Sequence, residues 1–147
     1  MPTVLKICVA EKSGVNMQDK LSIEVIANKG IINDRYFSEN NQKDLQITLI
    51  ESENIDYYNK ISSSNFPYIN FRRNIITKGI SLNQLVDKEF QIGDVELKGH
   101  RLCDPCKYLQ DLLNDDLLVK KLVNRGGLRC EVISNGKISV NDKIKFF

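Results

Sequence analysis

The feature that most constrains the fold of this chain is a succession of short strand-like segments separated by turn signals. The segments are rich in β-branched and other apolar residues and are bounded by Gly, Asn, Asp or Ser, a pattern typical of β-strands. Because strands and helices do not alternate along the chain, a barrel or barrel-like sheet is favoured over a layered α/β fold. We therefore predict a mainly β fold, a β-barrel with a few short peripheral helices. The predicted strands are residues 4–9, 22–27, 45–50, 71–77, 89–92, 95–98, 129–134, 137–140 and 144–147.

Two dipeptides predict tight hairpins. Gly93-Asp94 separates two of the predicted strands, and such a pair suits a turn between antiparallel strands. Asn135-Gly136 stands between the segments 129–134 and 137–140, and both of its residues can adopt positive φ. The second dipeptide is the stronger hairpin signal.

Apolar residues at helical spacing predict the helices. Three of them place one helix over residues 51–61, directly after a predicted strand. Leucines at helical spacing over residues 108–123 predict one or two amphipathic helices. Residues 79–86 are predicted to form a turn with a short helical piece.

Composition excludes several classes of protein. At 147 residues with 41% hydrophobic content, the chain suits one self-sufficient core, and we predict a single domain over residues 1–147. The 21 basic and 19 acidic residues are interleaved, which argues against a nucleic-acid-binding surface. No apolar run approaches the roughly 18 residues that a membrane span needs, and the N-terminus lacks a signal-peptide pattern. We expect a cytoplasmic protein with no membrane or nucleic-acid partner.

The four cysteines differ in their surroundings. Cys8 and Cys130 lie in apolar runs, where a thiol behaves as a small buried hydrophobe. Cys103 and Cys106 flank Asp104-Pro105, a segment that cannot be the interior of an ordinary strand. In a reducing cytosol, free thiols, metal ligands or catalytic thiols are expected rather than disulfides. Cys103 and Cys106 are therefore the candidates for chemistry.

Cys106 is the stronger of these two candidates. It precedes a predicted helix, and Arg101 and Lys107 lie close to it in sequence, so its thiolate is favoured electrostatically. The C-x-x-C spacing also matches dithiol redox pairs, although the β-rich context before it fits only in part. The simplest alternative is two incidental thiols on a loop. Cys106 is thus a candidate nucleophile or ligand for a soft metal.

Zinc is a further alternative, because His100, Cys103 and Cys106 form an H-x-x-C-x-x-C pattern. A structural zinc site needs four ligands, usually in two pairs, and a second pair is missing here. His100 is therefore better explained as a strand-end side chain with a local hydrogen-bond partner.

Cationic and polar residues recur near the predicted strand ends. In a barrel such ends converge on one mouth, and arginine suits the recognition of phosphate by two parallel hydrogen bonds. A phosphorylated ligand would fit such a mouth, whereas each arginine taken singly can also be a solvated surface charge. The residues concerned are Lys12, Ser13, Asp34, Arg35, Arg72, Arg73, Asn74 and the segment 125–127.

Taken in order, six elements of the chain resemble the MOSC domain, the module named after the C-terminal part of molybdenum cofactor sulfurase. The similarity covers almost the whole chain, and the order of the elements is more specific than any one of them. The elements are residues 30–37 (GIINDRYF), 49–51 (LIE), 71–79 (FRRNIITKG), 90–95 (FQIGDV), 103–109 (CDPCKYL), and the closing pair 126–129 (GGLR) and 138–142 (ISVND).

The resemblance implies a β-barrel of the kind also seen in pyruvate kinase. It further implies a pyranopterin molybdenum cofactor (Mo-molybdopterin) whose metal is coordinated by the motif cysteine, Cys106. A thiolate is a suitable ligand for such a sulfur-rich centre. The residues implied as cofactor contacts are Lys12, Ser13, Arg35 and Arg72 or Arg73, with Asp34, Asn74 and Asp104 from the same motifs.

Three functions are compatible with this resemblance. The first is the molybdenum-dependent reduction of N-hydroxylated small molecules, with electrons supplied by a redox partner protein. The second is a metal-free persulfide carrier, loaded by a cysteine desulfurase on Cys106, with Cys103 releasing the sulfur. The third is a non-enzymatic module that binds and delivers the cofactor. Sequence alone separates them poorly, since all three use the same thiol.

Overall fold

The computed structural model describes residues 1–103 and 107–146, and its secondary structure is dominated by short strands. The strands are β1 (Thr3–Val9), β2 (Gln18–Lys20), β3 (Ser22–Ile26), β4 (Gly30–Ile31), β5 (Ile47–Glu51), β6 (Ile75–Lys78), β7 (Glu89–Ile92), β8 (Val95–Leu102), β9 (Leu128–Val132), β10 (Gly136–Ser139) and β11 (Ile144–Phe146). The helices are α1 (Ser52–Ile61), α2 (Lys107–Leu112) and α3 (Leu118–Lys121), with 3₁₀ turns at Tyr68–Phe71 and Leu82–Leu85. None of these described helices is long and apolar enough to cross a bilayer.

Eight strands form one strongly curled sheet in the order β11-β7-β8-β9-β5-β6-β1-β2. Its strands pair antiparallel except for β5 and β6, which are parallel. The start of β1 also meets β11: Thr3 bridges Lys143, and the Ile144 amide donates to the Pro2 carbonyl at 3.0 Å. The sheet therefore curls back on itself, and the predicted mainly β, barrel-like fold is confirmed.

The inner face of the curled sheet encloses the main core. A small sheet in the order β10-β3-β4 packs against this core and contributes residues to it. The helices pack on the outer face, where Tyr58 of α1 and Leu118 of α3 are fully buried against Ile50 and Ile76 of the sheet. The predicted peripheral helices are confirmed by this packing. The inner core comprises mainly Val4, Ile7, Ile23, Val25, Ile31, Ile47, Leu49, Ile75, Phe90, Ile92, Leu97, Leu128, Cys130, Val132 and Ile138.

One predicted hairpin is present and the other is wrong. Ile92 pairs with Val95 across a tight turn in which Gly93 has φ +58°, as expected for β7 and β8. The segments around Asn135-Gly136 do not pair with each other, because β9 already has β8 on one edge and β5 on the other. With both edges of β9 occupied, β10 pairs instead with β3 in the small sheet. Asn135 lies in the connection from β9 to β10, and its side chain accepts a hydrogen bond from the Ala27 amide at 2.7 Å.

The predicted strand 71–77 begins later than expected. The 3₁₀ turn Tyr68–Phe71 comes first, and it ends at Arg72, which has a left-handed backbone conformation (φ +60°). Extended pairing starts only at Ile75. Arg72 and Arg73 therefore precede the sheet ladder, and their side chains reach the Val15 and Gly126 carbonyls, respectively.

A polar cluster joins α1 to the segment before α3 and makes stability depend on pH. The Tyr58 hydroxyl donates to Asp115 Oδ2 at 2.6 Å, and Lys121 Nζ donates to the same oxygen at 3.0 Å. The tyrosine hydrogen bond is the main reason that the pKa of Asp115 falls from 3.8 to about 2. Since the folded-state pKa is depressed, this contribution to stability is present above pH 4 and is lost as the pH falls towards 2.

Replacing Tyr58 by phenylalanine should therefore weaken the protein at neutral pH more than in acid. We expect a loss of about 1 kcal/mol at pH 7 and a smaller loss near pH 3, measured by urea unfolding at both values. Tyr68→Phe is the matched control, because its hydroxyl makes an exposed hydrogen bond to Asp56 at 2.9 Å. Equal pH dependence in the two variants would contradict the assignment.

Candidate functional site

A small cationic cleft, which we call the arginine cleft, gathers four of the residues predicted to contact a cofactor. Its volume is about 160 Å³. The four predicted residues are Ser13, Arg35, Arg72 and Arg73, which come from three separate segments of the chain. The predicted convergence of charged strand ends holds for these four residues and is wrong for Arg125 of the segment 125–127, which lines a separate cleft with Glu51 and Asn54. The cleft is completed by Gly14, Tyr36, Phe71 and Leu109.

Arg35 is held rigidly at this cleft. Its Nη1 donates to Asp34 Oδ1 at 3.1 Å, and its Nη2 donates to the Arg72 carbonyl at 2.8 Å. The guanidinium also lies 4.2 Å from the centre of the Tyr36 ring, at cation–π distance. An arginine whose conformation is already restrained loses less entropy when it binds an anion.

Asp34 organises the loops around Arg35. Its buried carboxylate accepts a hydrogen bond from the Ala10 amide at 3.1 Å in addition to that from Arg35. The Arg35 amide in turn donates to the Ala10 carbonyl at 2.7 Å. Asp34 therefore ties the end of β1 to the segment that carries Arg35, and it does not itself line the arginine cleft.

Arg72 and Arg73 both border the cleft, so the one-residue ambiguity of the sequence motif does not require a choice between them. Arg72 Nη1 donates to the Val15 carbonyl at 2.8 Å, in an exposed position. Arg73 is buried, with 9% of its surface exposed, and its Nε donates to the Gly126 carbonyl at 3.0 Å. Arg73 is thus the more firmly embedded of the two cations.

Asn74 and Lys12 lie apart from the arginine cleft. Asn74 is fully buried between strands: its Oδ1 accepts from the Thr48 amide and hydroxyl, and its Nδ2 donates to the Cys8 carbonyl, each at 3.1 Å. Lys12 lines a neighbouring groove of about 380 Å³ together with Val15 and other residues of the same loop. Ser13 is the member of the Lys-Ser pair that borders the arginine cleft.

The cysteines predicted to be buried are buried. Cys8 and Cys130 have no exposed surface, and burial raises the pKa of Cys8 to about 12 and that of Cys130 well above its usual value. Cys103 is also buried, with 1% exposure, and its amide donates to the Gly127 carbonyl at 2.7 Å. The predicted roles of Cys106 and Asp104 concern residues 104–106, which lie outside the described residues, and stay predictions.

His100 has the local partner that its position suggests. Its Nε2 lies 2.8 Å from Glu131 Oε1 on the neighbouring strand. Within residues 1–103 and 107–146, no group of three His, Cys, Asp or Glu side chains could hold a metal ion. The described part of the chain therefore adds no ligand cluster to the zinc alternative.

Three residues that line the cleft were not predicted as site residues although their motifs were recognised. Tyr36 follows Arg35 in the GIINDRYF element, Phe71 begins the FRRNIITKG element, and Leu109 ends the CDPCKYL element. Aromatic and apolar residues carry no charge signal, so only their three-dimensional placement beside the arginines marks them. Leu109 belongs to α2, which begins directly after Cys106 in the sequence.

The chain matches the model of a known protein family over most of its length. The model of the MOSC domain matches residues 34–145, a span that contains Arg35, Arg72 and Arg73. The chain belongs to the MOSC domain family. Ser13 and Lys12 precede the matched span, so their assignment depends on the sequence motif and, for Ser13, on the cleft geometry.

Solved structures share the MOSC fold seen here at low sequence identity. The YuaD protein from Bacillus subtilis superposes with a TM-score of 0.84 at 14% identity, covering 98% of this chain and 94% of that one. YiiM from Geobacillus stearothermophilus gives a TM-score of 0.78 at 14% identity, covering 100% and 75%, respectively. YiiM from Escherichia coli gives 0.69 at 17% identity, covering 97% and 70%. No protein of curated function gives a significant match.

Proposed function

We propose that this MOSC-domain protein binds the pyranopterin molybdenum cofactor and uses it to reduce N-hydroxylated small molecules. The observation that carries the proposal is the convergence of Arg35, Arg72 and Arg73, with Ser13, on one small cleft. Three guanidinium groups border this cleft; Arg35 is paired with the Asp34 carboxylate at 3.1 Å, and Arg72 and Arg73 add further positive charge, which attracts an anion. The phosphate group of a pyranopterin is a ligand of that kind.

The residues present fit the phosphate end of such a cofactor. A volume of about 160 Å³ suits a phosphoryl group better than a whole pterin. A second groove of about 410 Å³ borders the cleft at Arg72 and offers both apolar and amide groups, including Met17, Ile69 and Asn70. The fused rings of a pterin need surfaces of this mixed character.

The metal would be held by Cys106, three residues before Leu109 of the arginine cleft in the sequence. When bound, the cofactor supplies two-electron redox chemistry at its metal. The overall reaction joins an N-hydroxylated compound, two electrons and two protons to give the reduced nitrogen compound and water. The arginines hold the anionic ligand in place, and a redox partner protein supplies the electrons.

The persulfide-carrier hypothesis, in which Cys106 carries the sulfur and Cys103 releases it, has less support than the cofactor proposal. Cys103 is only 1% exposed, so it is poorly placed to exchange with a partner or a bulky acceptor. Incubation with a cysteine desulfurase and cysteine, followed by intact-mass measurement, would reveal this activity as a sulfur adduct that disappears in Cys106→Ser.

Metal analysis of protein purified from molybdate-replete cells tests the proposal. We expect about one molybdenum atom per chain in the wild type and almost none in Cys106→Ser. Arg73→Gln should retain roughly a tenth of the metal, because it removes a charged hydrogen-bond donor from the phosphate end. Arg125→Gln is the control, since Arg125 lies in a separate cleft with Glu51 and Asn54. A wild-type content near zero that added cofactor cannot raise would overturn the proposal.

A further inference from the structure

Arg129 on β9 has two buried guanidinium nitrogens that make no hydrogen bond within the described chain. Its neighbours Leu128 and Cys130 point into the main core, so alternation along the strand places Arg129 on the outer face of the sheet. The side chain is half-buried, and its Nε and Nη1 atoms are buried with no hydrogen-bond acceptor in the described residues. Leaving charged donors buried without an acceptor is unfavourable for the ligand-free protein.

A second positive charge near Arg129 makes its buried position still less favourable. Arg129 stands directly opposite Arg101 of β8, and like charges opposite each other destabilise a sheet. Two carboxylates nearby already have hydrogen-bond partners: Asp44 accepts from Arg101 Nε at 2.7 Å, and Glu131 is bound to His100 at 2.8 Å. Asp44 also attracts the Arg129 charge, but it makes no hydrogen bond to Nε or Nη1 of Arg129. An added acceptor with negative charge would therefore be stabilised at Arg129.

The sheet register places Arg129 beside the proposed cofactor site. Arg129 pairs with Thr48 of β5, and Thr48 hydrogen-bonds Asn74, the residue after Arg73. Neighbouring strands lie about 4.8 Å apart, so Arg129 is two strand spacings from the segment of Arg73. The Arg73 side chain also reaches the Gly126 carbonyl, three residues before Arg129. On its other edge β9 borders β8, which ends at Leu102, four residues before Cys106 in the sequence.

We propose that Arg129 is a further oxyanion-binding residue, which donates hydrogen bonds to a phosphate or other oxyanion group at this face of the sheet. The oxygens of such a group supply several acceptors at once and can satisfy donors on different sides of a guanidinium. The assignment of this oxyanion to the cofactor or its substrate rests on the proposed function, whereas the anion site itself does not.

The test compares Arg129→Met with the wild type, both metal-free, using inorganic phosphate as the probe. We expect phosphate to bind the variant at least tenfold more weakly in calorimetric titration. We also expect the melting temperature without phosphate to rise by about 3 °C, because methionine removes a buried, unsatisfied charge and keeps apolar volume. Arg125→Met, in the separate cleft, should leave phosphate affinity unchanged.

Each outcome bears directly on Arg129. Unchanged phosphate affinity in Arg129→Met, or a wild type that binds no phosphate, would overturn the proposal. If the methionine variant does not fold, Arg129→Lys keeps the charge but loses the planar donor set, and it must also bind phosphate more weakly. The molybdenum content of the wild type separates the two proposals. If phosphate binding depends on Arg129 but the protein does not load molybdenum, the cofactor proposal is refuted and the oxyanion site is retained.

Discussion

Gly127→Ala should cost at least about 4 kcal/mol of folding free energy. Gly127 has φ +103°, and a Cβ atom added there would lie 2.0 Å from the Leu49 carbonyl oxygen. That oxygen belongs to the backbone of β5, a strand in the middle of the curled sheet, so it cannot move without breaking the ladder. Strain at positive φ and a backbone collision therefore act together.

The same substitution should disturb the site, because the backbone here anchors two of its segments. The Gly127 carbonyl accepts from the Cys103 amide at 2.7 Å, and the preceding Gly126 carbonyl accepts from Arg73 Nε at 3.0 Å. Urea unfolding gives the stability loss, and phosphate titration of any folded fraction gives the loss at the site. Gly14→Ala is the matched control, since Gly14 also has positive φ (+83°) but no atom within 4 Å of the added Cβ. Similar losses in the two variants would contradict the collision argument.

Asn74→Ala should cost about 3 kcal/mol, the second largest effect expected. The side chain makes three buried hydrogen bonds, to the Thr48 amide, the Thr48 hydroxyl and the Cys8 carbonyl. Alanine would leave these groups buried without partners at the junction of β1, β5 and β6. Denaturant unfolding measures the loss, and Asn83→Ala, which removes one exposed hydrogen bond to the Asn124 carbonyl, should change stability by less than about 1 kcal/mol.

This variant also distinguishes two roles for Asn74. The sequence motif predicts a cofactor contact, whereas the geometry places the amide between strands and outside the lining of the arginine cleft. A variant of normal stability that fails to load molybdenum would support the direct contact. A destabilised variant whose folded fraction still loads the metal would support the role in holding the strands together.

The local pattern was sufficient for most elements because short-range physics decides them. β-branched and other apolar residues favour extended structure in β1, β3 and β5: β3 alternates between buried and exposed positions, whereas β5 is buried on both faces. Gly93 permits the tight turn between β7 and β8. The helix α1 follows from apolar residues at helical spacing. Arg35, Arg72 and Arg73 could be predicted as one site because strand ends in a curled sheet come together.

The predictions that were wrong concern segments that are adjacent in the sequence but do not pair in the structure. Asn135-Gly136 has the composition of a hairpin, but both edges of β9 are taken by strands distant in sequence. In the sequence, Asn74 and Arg129 are both polar residues within motifs of the resemblance. Only the pairing of β5 with its two neighbouring strands shows that their hydrogen-bond surroundings differ.

The sequence by itself determined the class of fold, the burial of Cys8 and Cys130, and the family to which the chain belongs, because apolar periodicity and ordered motifs are local properties. The tertiary structure decided which polar side chains border the arginine cleft and which have their hydrogen bonds satisfied within the fold. Asn74 has its hydrogen bonds satisfied between strands, whereas Arg129 keeps two buried donors without an acceptor in the described residues. That difference arises from strand pairing across long sequence separations, which determines the acceptors within reach of each donor.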